Sequence, residues 1–389
     1  METKILAMDW YNGFQCVGGI CPLTCCAANW SIRLTDEEIK MYQEMEHPFR
    51  ESILEQIDTE KKVLKSRGSH CAMLNDEGWC RIILECGEEY ISKVCTGFPR
   101  HTTEFGDIME ATVGIVCPVA AGYLFREDSI EFDFGIDEKE RTIVPIDYNL
   151  YDGLSCVRTN LIEAYQNYGR IRPAGVAFLL IACLIQIKDA LISGDYSKEW
   201  ALRFAEECFS EGVLQELFAR EENLTKTYSE KAAIISSICK DWEGWLRKTL
   251  EKYTADIPFE NWEFLWKLLG DTEAFEKAIE KFAGVFREKY SMVYENYFVY
   301  ALFKNFIVKK PEEFAKRMID HLLEYMFFQT MAAAVYEETG ELTRDTYILL
   351  ISMISRVIEN RVDNLDMFPV YMAEKNLLTT DGLLSLLIF

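Results

Sequence analysis

Apolar residues recur at i, i+3, i+4 and i+7 through most of the second half of the chain. This spacing predicts helices over 173–192, 198–218, 228–253, 271–290, 294–306, 311–338 and 343–360. Pro311 falls at the first helical position of its segment, and Gly194, Gly340 and Gly382 punctuate the run. No self-similar period of the kind that builds helical arrays is present. One stretch has a different rhythm. Ile130, Phe132 and Phe134 alternate with Glu131 and Asp133, and beyond Asp137, Glu138 and Lys139 the run from Thr142 to Val144 again reads as extended. A β-hairpin is therefore expected between Ser129 and Tyr148, with a boundary near residue 150.

The first half carries weaker periodicity. Residues 1–33 read as loop. Thr35 and Glu38 have the spacing of a capping box, which predicts a helix to about Glu46. Ile53, Leu54, Ile57 and Leu64 predict a second helix from Phe49 to about Lys65, ended by Arg67-Gly68-Ser69. A short helix is expected over Glu88 to Val94, and a longer one over Thr103 to Phe125, broken at Pro118. The expected fold is mainly α: a cysteine-rich metal-binding region over residues 1–127, a small β-hairpin connector over 128–150, and an irregular α-helical bundle over 151–389.

Cysteine usage changes the picture. Nine of the 13 cysteines lie in the first 117 residues, and Cys16, Cys21, Cys25 and Cys26 fall within eleven positions. The N-terminus has no basic segment followed by an apolar one, so export is not expected and a cytoplasmic, reducing setting is. The longest apolar run, residues 174–187, is too short for a bilayer span and predicts a buried core helix. Clustered cysteines in such a setting point to metal or thiol chemistry and not to disulfides. The formal net charge of −23 argues against nucleic acid and anionic membranes as partners, and it suits either a partner presenting lysines or simple solubility.

Thiolates at short spacing bind zinc or iron–sulfur clusters. Cys16-x4-Cys21 and Cys21-x3-Cys25 are wider than a zinc knuckle, and the spacing C-x3-C-x2-C is absent. Neighbours such as Cys25 and Cys26 seldom ligate one ion, so either one ligates while the other packs or the two serve different centres. Gly18 and Gly19 let backbone N–H groups approach sulfur, or simply make a turn. Cys86, within L-E-C-G-E-E, reads as a buried small hydrophobe, as do the isolated Cys156, Cys183, Cys208 and Cys239. His70 and His101 read as surface or second-sphere residues.

The assembled pattern resembles a known family. F-x-C-x4-C-x3-C-C-x3-W, from Phe14 to Trp30, is similar to the opening motif of the flagellin lysine-N-methylases. The likeness continues through S-I-R-L-T and Tyr42, through C-A-M-L-N-D-E-G-W-C-R-I, and through G-E-E-Y-I-S-K-V-C-T-G-F-P-R ending at Arg100. Y-E-N-Y-F-V-Y-A-L-F-K-N, Tyr294 to Asn305, resembles the family's aromatic C-terminal helix.

The resemblance implies a 4Fe-4S centre, with zinc as the alternative, and methyl transfer from S-adenosylmethionine to lysine ε-amines of flagellin or another lysine-bearing protein. It carries the metal-binding role to Cys16, Cys21, Cys25, Cys26, Cys71, Cys80, Cys95 and Cys117. Arg100 and Trp30, which end two of the blocks, are the expected cofactor-binding residues. In the aromatic stretch Glu295, with Tyr294, is the candidate catalytic group, since a carboxylate can accept the amine proton; core packing is the other reading of that stripe. The chain departs from the family around Cys117, where Val119 and Gly122 replace an acidic and a basic residue. The competing function is a non-catalytic module in which bound metal orders a protein-docking surface.

Overall fold

The computed structural model describes residues 3–28, 30–137, 145–221, 226–254, 262–359 and 367–388. It is mainly α, as expected, with a larger sheet than the sequence pattern suggests. Four strands, β1 (Thr3–Met8), β2 (Arg100–Phe105), β3 (Ile108–Val113) and β4 (Phe132–Asp137), form one sheet in the order β2-β3-β1-β4. β1 runs parallel to β3, with Ile5 opposite Met109, and antiparallel to β4, with Leu6 opposite Phe134. β2 and β3 form a hairpin whose turn places Gly106 at φ +60°.

Several expectations are corrected here. Residues 3–8 are a central strand, not loop. The expected helix from Thr103 to Phe125 is instead a hairpin followed by a short helix, Pro118–Gly122. β3 hid its period of two because both faces are covered: Met109, Glu110, Ala111, Thr112 and Val113 are all buried. Two of these are polar and both are partnered. Thr112 accepts a hydrogen bond from Trp10 Nε1 at 3.1 Å, and Glu110 accepts two from Arg158 at 2.7 Å each. Of the predicted hairpin, one arm is β4, whose partner is β1. The other, Thr142–Val144, lies outside the described residues.

The capping box forms as predicted. Thr35 Oγ1 accepts from Glu38 N at 3.2 Å, Glu38 Oε2 accepts from Thr35 N at 2.7 Å, and the helix runs Asp36–Glu44. The next helix is only Arg50–Leu54. Beyond it Ile57-Asp58 pairs with Val63-Leu64 across a turn in which Asp58 Oδ1 accepts from Lys61 N at 3.0 Å. Ile53, Ile57 and Leu64 are buried as predicted, but a turn rather than a helix brings them together. In place of one helix over 88–94 there is a 3-10 turn, Glu88–Tyr90, between the helices Arg81–Cys86 and Lys93–Gly97, and Gly87 at φ +107° ends the first of these.

The helical body comprises α1 (Tyr148–Tyr168), α2 (Pro173–Ser193), α3 (Lys198–Cys208), α4 (Glu211–Ala219), α5 (Tyr228–Thr254), α6 (Trp262–Gly270), α7 (Thr272–Lys289), α8 (Ser291–Asn305), α9 (Phe314–Thr339), α10 (Arg344–Glu359), α11 (Met367–Glu374) and α12 (Thr380–Leu384). The periodicity over 198–218 is two helices, not one. Gly194 and Gly340 close α2 and α9 in the left-handed conformation that glycine adopts without strain. α2 is apolar and long enough to cross a membrane by length and composition, yet Val176, Ala177, Leu180, Ile181, Cys183 and Ile187 pack fully into the core.

Two hydrophobic cores result. The larger runs from Met8 and Phe14 through the sheet to Ile388. The smaller gathers Ile32, Leu34, Tyr42, Met45, Phe49, Ile53, Ile57, Leu64, Met73 and Ile82.

Candidate metal centre

The two cores place four of the eight motif cysteines. Cys117 belongs to the larger core, together with Phe14 and Leu23 from the first cysteine segment. Cys71, Cys80 and Cys95 pack against the smaller one. The strand pair Ser66-Arg67 with His70-Cys71 lies against the 3-10 turn Cys25–Ala27. Trp79 lies over Gly18 and Gly19. A Cβ on Gly18 would sit 2.6 Å from its ring, and one on Gly19 2.5 Å, so a side chain at either position would displace the ring, and Gly18 at φ +60° also has a backbone that favours glycine. The two cysteine segments are thus interlocked before any ligand is considered.

The sulfurs share a local geometry. Gly18 N–H donates to Cys16 Sγ at 3.4 Å. Nearby amides, that of Leu23 for Cys21, of Met73 for Cys71, of Ile82 and Ile83 for Cys80, and of Val119 and Ala120 for Cys117, favour the thiolate against burial. In each case the donor lies two or three residues after the cysteine. Cys80 and Cys117 occupy helix N-cap positions, where free N–H groups favour an anion. At Cys95 the Ser92 hydroxyl fills this role. Among the described residues no backbone amide acts in this way on Cys86, Cys156, Cys183, Cys208 or Cys239, although the Asn160 side-chain amide donates to Cys156 Sγ at 4.0 Å. Amide donors to sulfur stabilise thiolate and metal-bound thiolate over thiol.

Burial opposes ionisation. It pushes the thiols of Cys21 and Cys95 up to about 11 and that of Cys71 up to about 12, and it raises Cys80 and Cys117 as well. The Cys25 thiol donates to Cys26, which lifts Cys25 well above the ordinary range and brings Cys26 down to about 7. A soft metal ion would have to displace these protons. Among the described residues no three His, Cys, Asp or Glu side chains already close on a common point, so binding would also have to draw the sulfurs together. The donor set itself, thiols with amide N–H support and no carboxylate among them, suits zinc or an iron–sulfur cluster.

A cation from the helical body completes the neighbourhood. Arg356 of α10 is 1% exposed. Its Nη2 donates to Leu23 O at 2.6 Å and its Nε to Val116 O at 2.9 Å, and its guanidinium lies 5.3 Å from the centre of the Trp30 ring. Burial lowers its pKa, while the thiols of Cys25, Cys21 and Cys117 act in the opposite sense. The one sequence clue to Arg356 is an arginine set inside the buried run I-S-M-I-S-R-V-I. From the same helix Arg344 Nη2 donates to Gly122 O at 3.2 Å, so cationic side chains approach the Cys117 turn even though Gly122 supplies none.

The remaining candidates are placed as follows. Trp30 packs edge-on against Phe98 at 4.6 Å, beneath Arg356. Its Nε1 is buried without an acceptor among the described residues. Arg100 is exposed, lies over the Phe14 ring at 5.2 Å and donates to Phe14 O at 3.1 Å, so it braces the segment leading into Cys16.

Glu295 and Tyr294 sit in the helical core, as do Tyr297, Phe298 and Tyr300. The Glu295 carboxylate is paired with Arg170 Nε at 2.5 Å, and burial raises its pKa against that pull. Tyr294 donates to Pro173 O at 3.0 Å. Both side chains therefore have structural partners and neither opens on a cavity. A surface hollow of about 300 Å³ beside Asp271 and Lys277, and an enclosed space of about 10 Å³ between α5, α6 and α9, are lined by none of the candidate residues. α8 does reach the cysteines at its other end, where Tyr300 OH accepts from Ile115 N at 3.3 Å.

Cys86 is half-buried and not fully buried as expected; its Sγ lies 3.5 Å from His47 Nδ1. Cys183 and Cys208, read as isolated, are hydrogen-bonding neighbours between α2 and α3. His70 Nδ1 meets Ser69 Oγ at 3.1 Å, and His101 Nε2 meets Thr103 Oγ1 at 3.5 Å.

Comparison with known families matches residues 176–386, more than half of the chain, to the FliB lysine N-methylase C-terminal domain. No curated protein and no solved structure matches the chain.

Proposed function

As this chain belongs to the FliB lysine N-methylase family, we propose that it moves the methyl group of S-adenosylmethionine onto lysine ε-amines of flagellin or a similar lysine-bearing protein, with an iron–sulfur centre held by its cysteines. The observation that carries the proposal is the family match across the helical body, joined to the cysteines by the buried Arg356. A cluster would be held by Cys16, Cys21, Cys25, Cys26, Cys71, Cys80, Cys95 and Cys117, and would order the segments that carry them.

Methyl transfer breaks the sulfonium S–CH3 bond as the amine lone pair forms N–CH3, and it releases S-adenosylhomocysteine. The lysine must first lose its proton, and a poorly hydrated site lowers the pKa of the amine. Reaction also requires nitrogen, methyl and sulfur held in line. The chain's own contribution to encounter is electrostatic: with a net charge of −23 it attracts a cationic, lysine-presenting surface. Glu295 and Tyr294 hold α8 against the turn that follows α1 and the start of α2.

The test is incubation of anaerobically purified protein with methyl-labelled S-adenosylmethionine and flagellin, followed by mass spectrometry of lysine residues. Label on lysine nitrogen, falling as salt is added, is the expected result. Metal-loaded protein that transfers no label to flagellin or to any other lysine-rich protein would overturn the assignment and favour the docking module.

A further inference from the structure

Large apolar side chains stand exposed where the two cysteine segments cross. Val17 is 37% exposed, Ile20 76% and Trp79 39%, and none of the three belongs to either hydrophobic core. Val17 and Ile20 flank Gly18-Gly19 in the chain, and the Trp79 ring lies on that glycine pair. A Cβ at Gly18 would come nearest Cζ3, Cε3 and Cη2 of the indole, and one at Gly19 nearest Cδ2, Cε2 and Nε1. The dipeptide therefore runs beneath one face of the ring, and the exposure of Trp79 belongs to its other face and its edge. Valine, isoleucine and tryptophan make one apolar patch on a chain whose net charge is −23.

The ring is held in place by its own turn. Trp79 N–H donates to Asn75 Oδ1 at 2.7 Å, Asn75 N–H to Trp79 O at 2.9 Å, and Gly78 N–H to Asn75 O at 3.1 Å. Gly78, at φ +83°, lets the turn close against Gly19, whose carbonyl oxygen would lie 3.3 Å from a Cβ there. Little freedom is left for Trp79 to lose when a partner covers it. Asp76 and Glu77, on the same turn, are exposed. Asp76 meets Arg67 only at 3.5 Å and in solvent, where such a pair contributes little. An open aromatic face with carboxylates at its rim is complementary to lysine. The aliphatic stem covers the ring, and the ammonium is drawn to the negative face of the indole and to the carboxylates.

We propose that the exposed face of Trp79, framed by Val17 and Ile20, is the docking point for a lysine-bearing segment of the substrate protein. This rests on the protein-methylase reading above and adds where that protein is held. Solvent reaches the ring, and a solvated amine keeps its proton, so a lysine here is bound and not methylated. The patch acts on substrate affinity and not on the transfer step.

The experiment titrates full-length protein with flagellin by calorimetry, then measures methyl transfer against flagellin concentration. Wild type is compared with Trp79→Ala, Trp79→Phe and Ile20→Ser, with circular dichroism as a check on folding. Trp79→Ala should weaken flagellin binding about tenfold, as loss of an aromatic anchor does, and raise KM about as much with kcat unchanged. Trp79→Phe should keep part of the affinity. Ile20→Ser, which removes a side chain from neither core, should weaken binding about threefold and reports on the patch even if Trp79→Ala does not fold. Flagellin with acetylated lysines should bind wild type and Trp79→Ala alike, since acetylation removes the ammonium. Folded variants that bind flagellin as wild type does would overturn the docking surface and leave the methylase reading standing, as would variants that lower kcat at unchanged KM. Wild-type dimers that Trp79→Ala dissociates would assign the patch to a second copy of this chain and overturn the proposal. Wild type that neither binds nor methylates flagellin or another lysine-rich protein overturns the methylase reading, and the docking surface with it.

Discussion

Arg356 donates through Nη2 to the carbonyl of Leu23 at 2.6 Å, joining α10 to a loop 333 residues earlier in the chain. The same guanidinium holds Val116 O, one residue before Cys117. Arg356→Met removes both donors and leaves two carbonyls to be satisfied in a buried setting, at about 1–3 kcal/mol each. Denaturant unfolding should show that loss. Arg356→Lys should recover only part of it, because one ammonium lacks the fork that reaches both carbonyls. A lysine variant as stable as wild type would mean that charge alone matters at this position.

The bond between Arg158 and Glu110 fastens the sheet to the helical body in the same way. Arg158 donates to both carboxylate oxygens at 2.7 Å, and the pair is 3% and 5% exposed. Tyr151 OH adds a third donor to Glu110 at 2.9 Å. Removing one member strands a buried charge, so Arg158→Met should cost about 3–5 kcal/mol. Combining it with Glu110→Leu should restore part of that loss, and a double-mutant cycle on unfolding free energies measures the coupling.

Lys231 on α5 is 2% exposed and donates to Leu387 O at 2.7 Å, and burial lowers its pKa to about 8 from an ordinary 10.5. Below pH 8 both the folded and unfolded forms are protonated, and this group gives no slope. Between about 8 and 10.5 the unfolded chain binds more protons, so its contribution to stability rises with pH. The rise is about 3 kcal/mol in all, from 1.36 kcal/mol per unit. Lys231→Met should lack that rise, which is read as the difference between the two unfolding free energies across the window. Parallel pH profiles would contradict the assignment.

Glu38 stabilises two elements at once. It completes the cap with Thr35, and its Oε1 accepts from Lys93 N at 2.6 Å, at the start of the helix that carries Cys95. Thr35→Ala should cost about 1 kcal/mol, as loss of a helix cap does. Glu38→Ala should cost more and should also speed amide hydrogen exchange around Lys93. Equal effects of the two substitutions would show that the Lys93 contact contributes nothing.

Where the sequence was readable, the reason was local. The capping box needs only Thr35 and Glu38, and α2, α7, α9 and α10 each present an apolar face with a period that packing then satisfies. Where it misled, a long-range partner had changed the rule. β3 reads like part of a helix because Glu110 is neutralised by Arg158, 48 residues away, and β1 reads like loop because its neighbours β3 and β4 lie more than a hundred residues on. Glu295 drew attention as a carboxylate among aromatics; only the packed structure supplies Arg170 as its partner.

Sequence by itself determined that this is a mainly helical protein with a thiol-rich first third, because helical period and cysteine spacing are short-range properties written along the chain. Tertiary structure alone decided that Cys117 packs with the larger core while Cys71, Cys80 and Cys95 pack against the smaller, and that Arg356 holds the Leu23 and Val116 carbonyls beside Cys117. Those relations join positions tens to hundreds of residues apart, and they exist only once two hydrophobic cores have formed and met.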